Sequence, residues 1–334
     1  MLDVGRYHDD LPVTLRDTGE QSDTGAVDTI VVRDEEAHRN LVRATLIHNP
    51  AAGDGRPAAT DLKKIVTAAG FQVRYQSTKK NWKKALQDDV NLIVAAGGDG
   101  TVAKVLKETA GHDRTVALLP VGTANNISRT LGVRGDAREL AARWLKERPR
   151  PFDIGVVDDG SDQTLFVEAA GGGVFAAAIR AGQDAVEDAD TLVGNETDRA
   201  LGLLRRIVAA AKPVRWTLQI DGEDHSGDYV GVEVMNIRHA GPSVPIAPDA
   251  DPGDGLLDVV MIGQRDVREL VAYLEQRLEQ HEVPLPSFRT ARGRVVNLAA
   301  RRVPMRIDDK LVEAEDVDWR ISLRRGATRV LTGV

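Results

Sequence analysis

An apolar run that ends abruptly in glycines, an aspartate and a threonine limits this chain more than any other feature. Asn91-Leu92-Ile93-Val94-Ala95-Ala96 leads straight into Gly97-Gly98-Asp99-Gly100-Thr101, and a helix-like segment, Val102 to Ala110, follows at once. The order predicts a buried strand turning sharply into a helix N-terminus. Such a corner leaves backbone N–H groups unpaired, and anions bind there. The glycines let a phosphate approach the backbone and permit positive φ. Asp99 is the odd member, since an acid at a phosphate site repels the ligand unless a metal or a proton intervenes. The combination points to chemistry on a phosphate with Mg²⁺ present. Taken alone, Gly-Asp-Gly reads better as a tight strand–helix turn with Asp99 as N-cap.

Two more turns of this kind lie one βα unit away. Ala117-Leu118-Leu119-Pro120-Val121-Gly122-Thr123-Ala124-Asn125-Asn126 follows, and Thr45-Leu46-Ile47-His48-Asn49-Pro50-Ala51-Ala52-Gly53 precedes. In a parallel sheet such strand ends gather on one edge, where ligands bind. Their coincidence favours a phosphate site over a plain turn.

Periodicity supports this frame. Strands are predicted at 44–48, 72–76, 92–96 and 116–120. Helices are predicted at 58–69, 82–88, 102–110 and 137–147, with a helical turn after Asn125. Strand–helix alternation predicts a parallel sheet covered on both faces. After Pro149-Arg150-Pro151 the pattern changes. Strands at 152–157, 164–170, 215–221, 229–236, 256–262, 294–299 and 303–308 carry turn signals such as Asp158-Asp159-Gly160, which predicts an antiparallel sandwich or barrel. Helical inserts interrupt it at 176–211, broken near 188–195, and at 267–280. Residues 319–331 close the chain. Residues 1–43 read as a mobile leader with a short strand at 29–32.

The length of 334 residues predicts two domains. With no cysteine in the chain, disulfides, thiolate metal sites and a cysteine nucleophile are excluded. The formal charge is −7, and ten acids against five bases in residues 1–43 account for most of it. The remainder is nearly neutral, which argues against general nucleic-acid binding. Basic clusters at Lys79-Lys80 with Lys83-Lys84, at 143–150 and at 320–329 suit solvated faces, or contact with anionic lipid head groups. Neither a membrane-spanning run nor a signal-peptide pattern is present, so the expected location is cytoplasmic, or peripheral on the inner membrane face.

Asn-Pro-x-x-Gly at Asn49 to Gly53, Gly-Gly-Asp-Gly-Thr at Gly97 to Thr101, and Leu-Pro-x-Gly-Thr-x-Asn at Leu119 to Asn125 together resemble the diacylglycerol kinase catalytic-domain family. That family includes bacterial lipid kinases. It is related to sphingosine and ceramide kinases and, more distantly, to NAD kinases. Ala247-Pro248 followed by Asp254-Gly255-Leu256-Leu257-Asp258-Val259, and the acidic turn Ile307-Asp308-Asp309, match in order. The resemblance spans roughly Ala44 to the C-terminus. It implies an α/β fold: a Rossmann-like parallel-sheet nucleotide domain (44–150, with 319–334 returning to it) plus an antiparallel β-sandwich acceptor domain (151–318) with helical inserts.

Phosphoryl transfer needs a positioned nucleotide, a metal to neutralise phosphate charge and an acceptor for the hydroxyl proton. By the resemblance, Gly97, Gly98, Gly100 and Thr101 line the phosphates of ATP, and Asp99 holds Mg²⁺ directly or through water. Asn49, Thr123 and Asn125 bind the nucleotide from neighbouring strand ends, although Asn49 alone reads as an Asn-Pro turn. Asp308 matches the aspartate that takes the hydroxyl proton, although Asp-Asp at a strand end alone reads as a hairpin turn. Asp251, Asp254 and Asp258 are spaced like an oxygen-ligand loop for a structural Mg²⁺, and equally like a plain loop.

The sequence departs from the family pattern at Lys104, Asn126, Phe175 and Lys310; three of these stand where glutamate or another acid is usual, and Asn126 where aspartate is frequent. The resemblance implies ATP- and Mg²⁺-dependent phosphorylation of a lipid hydroxyl, on diacylglycerol or a similar lipid alcohol. The expected partner is that lipid, met transiently at a membrane surface, with a homodimer admitted and nucleic acid excluded. The alternatives are a kinase for a soluble alcohol or NAD-like substrate, and an inactive nucleotide- or lipid-binding regulatory protein.

Overall fold

The computed structural model describes residues 42–53, 56–86, 90, 92–185, 195–281 and 283–332. The predicted leader strand at 29–32, nearly all of the leader, and most of the predicted helix break at 188–195 lie outside these residues. The first half contains β1 (Val42–His48), α1 (Ala59–Ala68), β2 (Phe71–Ser77), β3 (Leu92–Gly97), α2 (Asp99–Thr109), β4 (Thr115–Pro120), α3 (Asn126–Thr130) and α4 (Ala137–Arg143). The strands run parallel in the order β2-β1-β3-β4. All of β3 is buried. Its continuous apolar run, lacking alternation, is what a strand covered on both faces requires. The chain moves one way from β1 to β2 and the other way from β3 to β4. Right-handed crossovers therefore put α1 and α2 on opposite faces.

The second half contains β5 (Arg150–Asp158), β6 (Gln163–Phe166), β7 (Ala169–Gly173), α5 (Val174–Ala185), α6 (Glu196–Ala210), β8 (Val214–Ile220), β9 (Glu223–Asp224), β10 (Gly227–Met235) and β11 (Leu257–Gly263). It continues with α7 (Val267–Leu278), β12 (Arg289–Gly293), β13 (Val296–Arg301), β14 (Met305–Ile307), β15 (Lys310–Val312) and β16 (Asp316–Val330). Its strands pair antiparallel, and β16 joins the two halves. Its start pairs with β13, much of its length with β5, and its end runs parallel to β4, placing Arg329 opposite Thr115. Trp319 and Ile321 accordingly pack in the second core, and Val330 and Leu331 in the first.

Several elements differ from expectation. The predicted helix 82–88 is a short 3₁₀ turn, Lys83–Leu86, in its described part. The predicted strand 164–170 is two strands, because the Asp308 carboxylate takes the N–H groups of Val167 and Glu168 that a sheet partner would otherwise use. The segment 303–312 is a hairpin, β14–β15, with Ile307 opposite Lys310 and Asp308-Asp309 as its two-residue turn.

Strand β7 lies between β10 and β14, and the glycines Gly171-Gly172-Gly173 fit a constriction. A Cβ on Gly171 would lie 2.2 Å from the Val232 carbonyl oxygen, and one on Gly172 would lie 2.4 Å from that of Pro304. Since neither contact can relax without moving a strand, Gly171→Ala is expected to cost about 1–3 kcal/mol of stability, read as a lower denaturant midpoint.

Candidate active site

The three predicted turns meet. His48 lies opposite Ala96, and Gly97 opposite Pro120. A Cβ on Gly53 would lie 2.4 Å from the Val121 carbonyl oxygen, and one on Gly122 would lie 2.4 Å from Gly98 Cα, so the loops are in contact. Asn125 fixes the Gly122 turn: its Oδ1 accepts the Gly122 N–H at 3.1 Å and its Nδ2 donates to the Gly122 carbonyl at 2.6 Å. Asn49 closes its own Asn-Pro turn, Oδ1 accepting the Ala51 N–H at 3.1 Å. Gly98 is the N-cap of α2, and no side chain caps that helix. Its first N–H groups are therefore available to an anion. Thr101 is buried beneath Gly97, where a Cβ would meet its side chain.

Asp99 does not cap α2. Its carboxylate reaches across to α3, Oδ2 accepting the Asn126 N–H at 2.9 Å and Oδ1 the Ile127 N–H at 3.0 Å. Burial pushes its pKa up, against the pull of these N–H bonds and of Arg129. Thr123 turns towards the second half, donating to Glu196 Oε2 at 3.1 Å, on the first residue of α6.

On the acceptor side, Asp308 is buried and adopts φ of 52°. Its Oδ1 accepts the N–H groups of Val167 at 3.0 Å and Glu168 at 2.8 Å, with Ala169 at 3.4 Å, and its Oδ2 meets Lys107 Nζ at 2.6 Å. The cation at Asp308 is thus Lys107 of α2, whereas Lys310 is exposed at the start of β15. Lys104 is exposed on α2. Arg306 and Glu233 form a buried two-contact ion pair at 2.7 and 3.2 Å. Arg306 also donates to the Asp308 carbonyl at 2.7 Å and lies over the Phe175 ring.

These groups line a cavity of about 710 Å³. Asp99, Gly100 and Thr123 form its phosphate-loop end, and Glu168, Arg306, Asp308 and Asp309 face it from the other domain half. Phe175, Ala178, Ile179, Ala200, Leu203 and Leu204 of α5 and α6 form an apolar wall. Gly241 and Pro242 also line it, and Ser243 Oγ donates to the Ala124 carbonyl at 3.2 Å. Glu168, Arg306, Lys107 and Glu196 were not evident as site residues in the sequence. The one visible signal was an acid, Glu168, inside the apolar run Phe166-Val167-Glu168-Ala169-Ala170.

Of the two readings of the acidic loop, the arginine partners favour the plain loop. Asp251 pairs with Arg150, while Asp254 and Asp258 share Arg292. Arginine neutralises these carboxylates from separate directions, and among the described residues no three acidic or histidine side chains converge as a metal cluster.

Glycine-rich turns at one edge of a parallel sheet thus face a cavity whose other side is built by a second, β-rich half. Residues 43–157 match the diacylglycerol kinase catalytic domain, and residues 177–331 match the YegS C-terminal NAD kinase beta sandwich-like domain. A Pseudomonas putida protein described as a probable YegS-like lipid kinase is 31% identical over 63% of this chain and 69% of its own length. A Bacillus subtilis diacylglycerol kinase is 25% identical over 81% of this chain and 88% of its own. The crystal structure of a diacylglycerol kinase from Bacillus anthracis, 22% identical, superposes with a TM-score of 0.65 over 88% of this chain and 97% of its own, showing a shared fold. The chain belongs to the diacylglycerol kinase catalytic-domain family, a family of lipid kinases.

The contact between the loops and the packing around Asp308 can be tested separately. Gly122→Ala forces the glycine loops apart and is expected to weaken ATP binding about tenfold or more, measured by calorimetry. Asp308→Ala strands three N–H groups and the Lys107 ammonium. It is expected to cost about 3 kcal/mol of stability or more, measured by chemical denaturation.

Proposed function

We propose that this protein transfers the γ-phosphoryl group of ATP to the hydroxyl of a membrane lipid, diacylglycerol or a similar lipid alcohol. The observation that carries the reading is the continuity of one cavity from the phosphate loops at Asp99, Gly100 and Thr123 to the apolar wall of α5 and α6. A soluble alcohol or NAD-like substrate would leave that wall in contact with water, whereas an acyl chain would cover it. The free N–H groups at the start of α2 would hold nucleotide phosphate, and the contact between Gly98 and Gly122 leaves the backbone open to close approach.

Mg²⁺ commonly binds through substrate phosphates plus one or two carboxylates. The acids at the phosphate-loop end fit that mode: Asp99, through water, and Asp309, whose Oδ2 lies 3.9 Å from where a Cβ on Gly100 would sit. When bound, the ion would neutralise phosphate charge. Thr123 and Glu196 would keep the nucleotide loop in register with α6, and hence with the acceptor. No described helix is long and apolar enough to cross a membrane. The lipid would therefore be met at the bilayer surface, and any second copy of the chain would not be needed to complete the cavity.

The test is ATP-dependent phosphorylation in mixed micelles containing diacylglycerol, in parallel with soluble alcohols. Ala200→Trp fills the apolar wall and should raise KM for the lipid about tenfold while leaving ATP affinity unchanged. Turnover on soluble alcohols alone, or an unchanged lipid KM in the variant, would overturn the lipid reading.

A further inference from the structure

Five acids line the cavity: Glu196 accepts the Thr123 hydroxyl and Asp309 is exposed on the β14–β15 turn, and partners separate the roles of the other three, Asp99, Glu168 and Asp308. Both oxygens of Asp99 accept backbone N–H groups of α3. Asp308 has three N–H donors and the Lys107 ammonium, which fills the capacity of a carboxylate of about four acceptor sites. Taking a proton at Asp308 would mean breaking contacts that hold β6, β7 and α2 together. Glu168 differs. Its backbone is fixed at both ends: its N–H donates to Asp308 and its carbonyl accepts the Asn236 N–H at 2.9 Å. Its side chain enters the cavity, which the Asn126 side chain, whose Nδ2 donates to the Gly241 carbonyl at 3.0 Å, also lines.

We propose that Glu168 is the catalytic residue that accepts the proton of the acceptor hydroxyl. The role rests on the lipid-kinase reading above and assigns a residue within it. The acceptor oxygen forms its bond to the γ-phosphorus of ATP as the bond from that phosphorus to the β,γ-bridging oxygen breaks. The electron pair leaves with ADP, and the hydroxyl proton passes to a Glu168 carboxylate oxygen. Because the proton moves late in phosphoryl transfer, a carboxylate suffices as acceptor.

The surroundings tune that carboxyl. Burial pushes its pKa well up, and the neighbouring acids Asp99 of α2 and Asp308 of the β14–β15 turn push in the same direction. Arg306 of β14 and the Asn126 amide of α3 oppose them. A carboxyl raised above its ordinary range is a stronger base once ionised, nearer the operating pH where a proton acceptor works best. Asn126, at a position where the family often has aspartate, lines the same cavity without adding a further like charge.

The experiment compares Glu168→Gln, Glu168→Asp and wild type in the full chain, measuring steady-state transfer from ATP to diacylglycerol in mixed micelles, ATP affinity and chemical denaturation. The role predicts that Glu168→Gln lowers kcat about a hundredfold or more, with KM for ATP within about threefold. Glu168→Asp should keep part of the rate. Wild-type kcat should rise with pH through a limb above the ordinary carboxylate range, and that limb should vanish in Glu168→Gln. Denaturation should show Glu168→Gln no less stable at neutral pH, because the folded protein holds this proton more tightly than the unfolded chain and loses stability on ionising it. An active wild type with Glu168→Gln retaining kcat and the pH limb would overturn the role alone. A wild type that phosphorylates no lipid hydroxyl would overturn the proposed function and the role with it.

Discussion

The carboxylate of Asp308 organises the junction on which the cavity depends. It sits at the tip of a hairpin, in the left-handed backbone region that aspartate tolerates better than most side chains. There it gathers the N–H groups of Val167, Glu168 and Ala169, about 140 residues earlier, and the ammonium of Lys107 on the nucleotide half. A buried carboxylate without partners would be strongly unfavourable, and these donors supply what water would otherwise provide. The same contacts end β6, begin β7 and aim Glu168 into the cavity. One side chain thus spaces the sheet, joins the halves and positions the nearest free acid.

Asp99 acts similarly on the nucleotide side. It joins the start of α2 to the start of α3, so the two phosphate-facing loops move as one body. The contact between Gly98 and Gly122 adds a steric constraint to that electrostatic one. Preorganisation of this kind matters for phosphoryl transfer, where the protein contributes positioning and charge stabilisation more than covalent chemistry.

The nucleotide half was legible in the sequence because its signals are local. A buried strand reads as an apolar run, and a strand–helix corner reads as glycines beside an acid, within a dozen residues. The antiparallel half was legible as strands but less so as boundaries. Strand 164–170 looked continuous because nothing near it in sequence indicates that Asp308 takes its N–H groups. Glu168, Lys107, Arg306 and Glu196 were missed for the same reason: each has its meaning from a partner 70 or more residues away, as in Lys107 with Asp308, Arg306 with Glu233 and Glu196 with Thr123. The acidic loop 251–258 was open to both a metal-ligand and a plain-loop reading. Its spacing suggested ligands, and spacing does not reveal that Arg150 and Arg292 arrive from distant strands to neutralise it.

The departures from the family pattern acquire a common logic in the cavity. An acid is absent from four familiar places: Lys104 and Lys310 are exposed, Asn126 is buried at the start of α3, and Phe175 packs in the apolar wall beneath Arg306. Asp99, Glu168 and Asp308 remain, and with them the cations Lys107 and Arg306. Burial, and after it the nearby Asp99 and Asp308 carboxylates, push the Glu168 pKa up. Backbone N–H groups reach Asp99 and Asp308 and tie both carboxylates to neighbouring elements. Glu168 extends its carboxyl into the cavity between them. A site that lacks acids at these places therefore still has two carboxylates anchored by backbone N–H groups and a third, Glu168, facing the place where an acceptor hydroxyl would arrive.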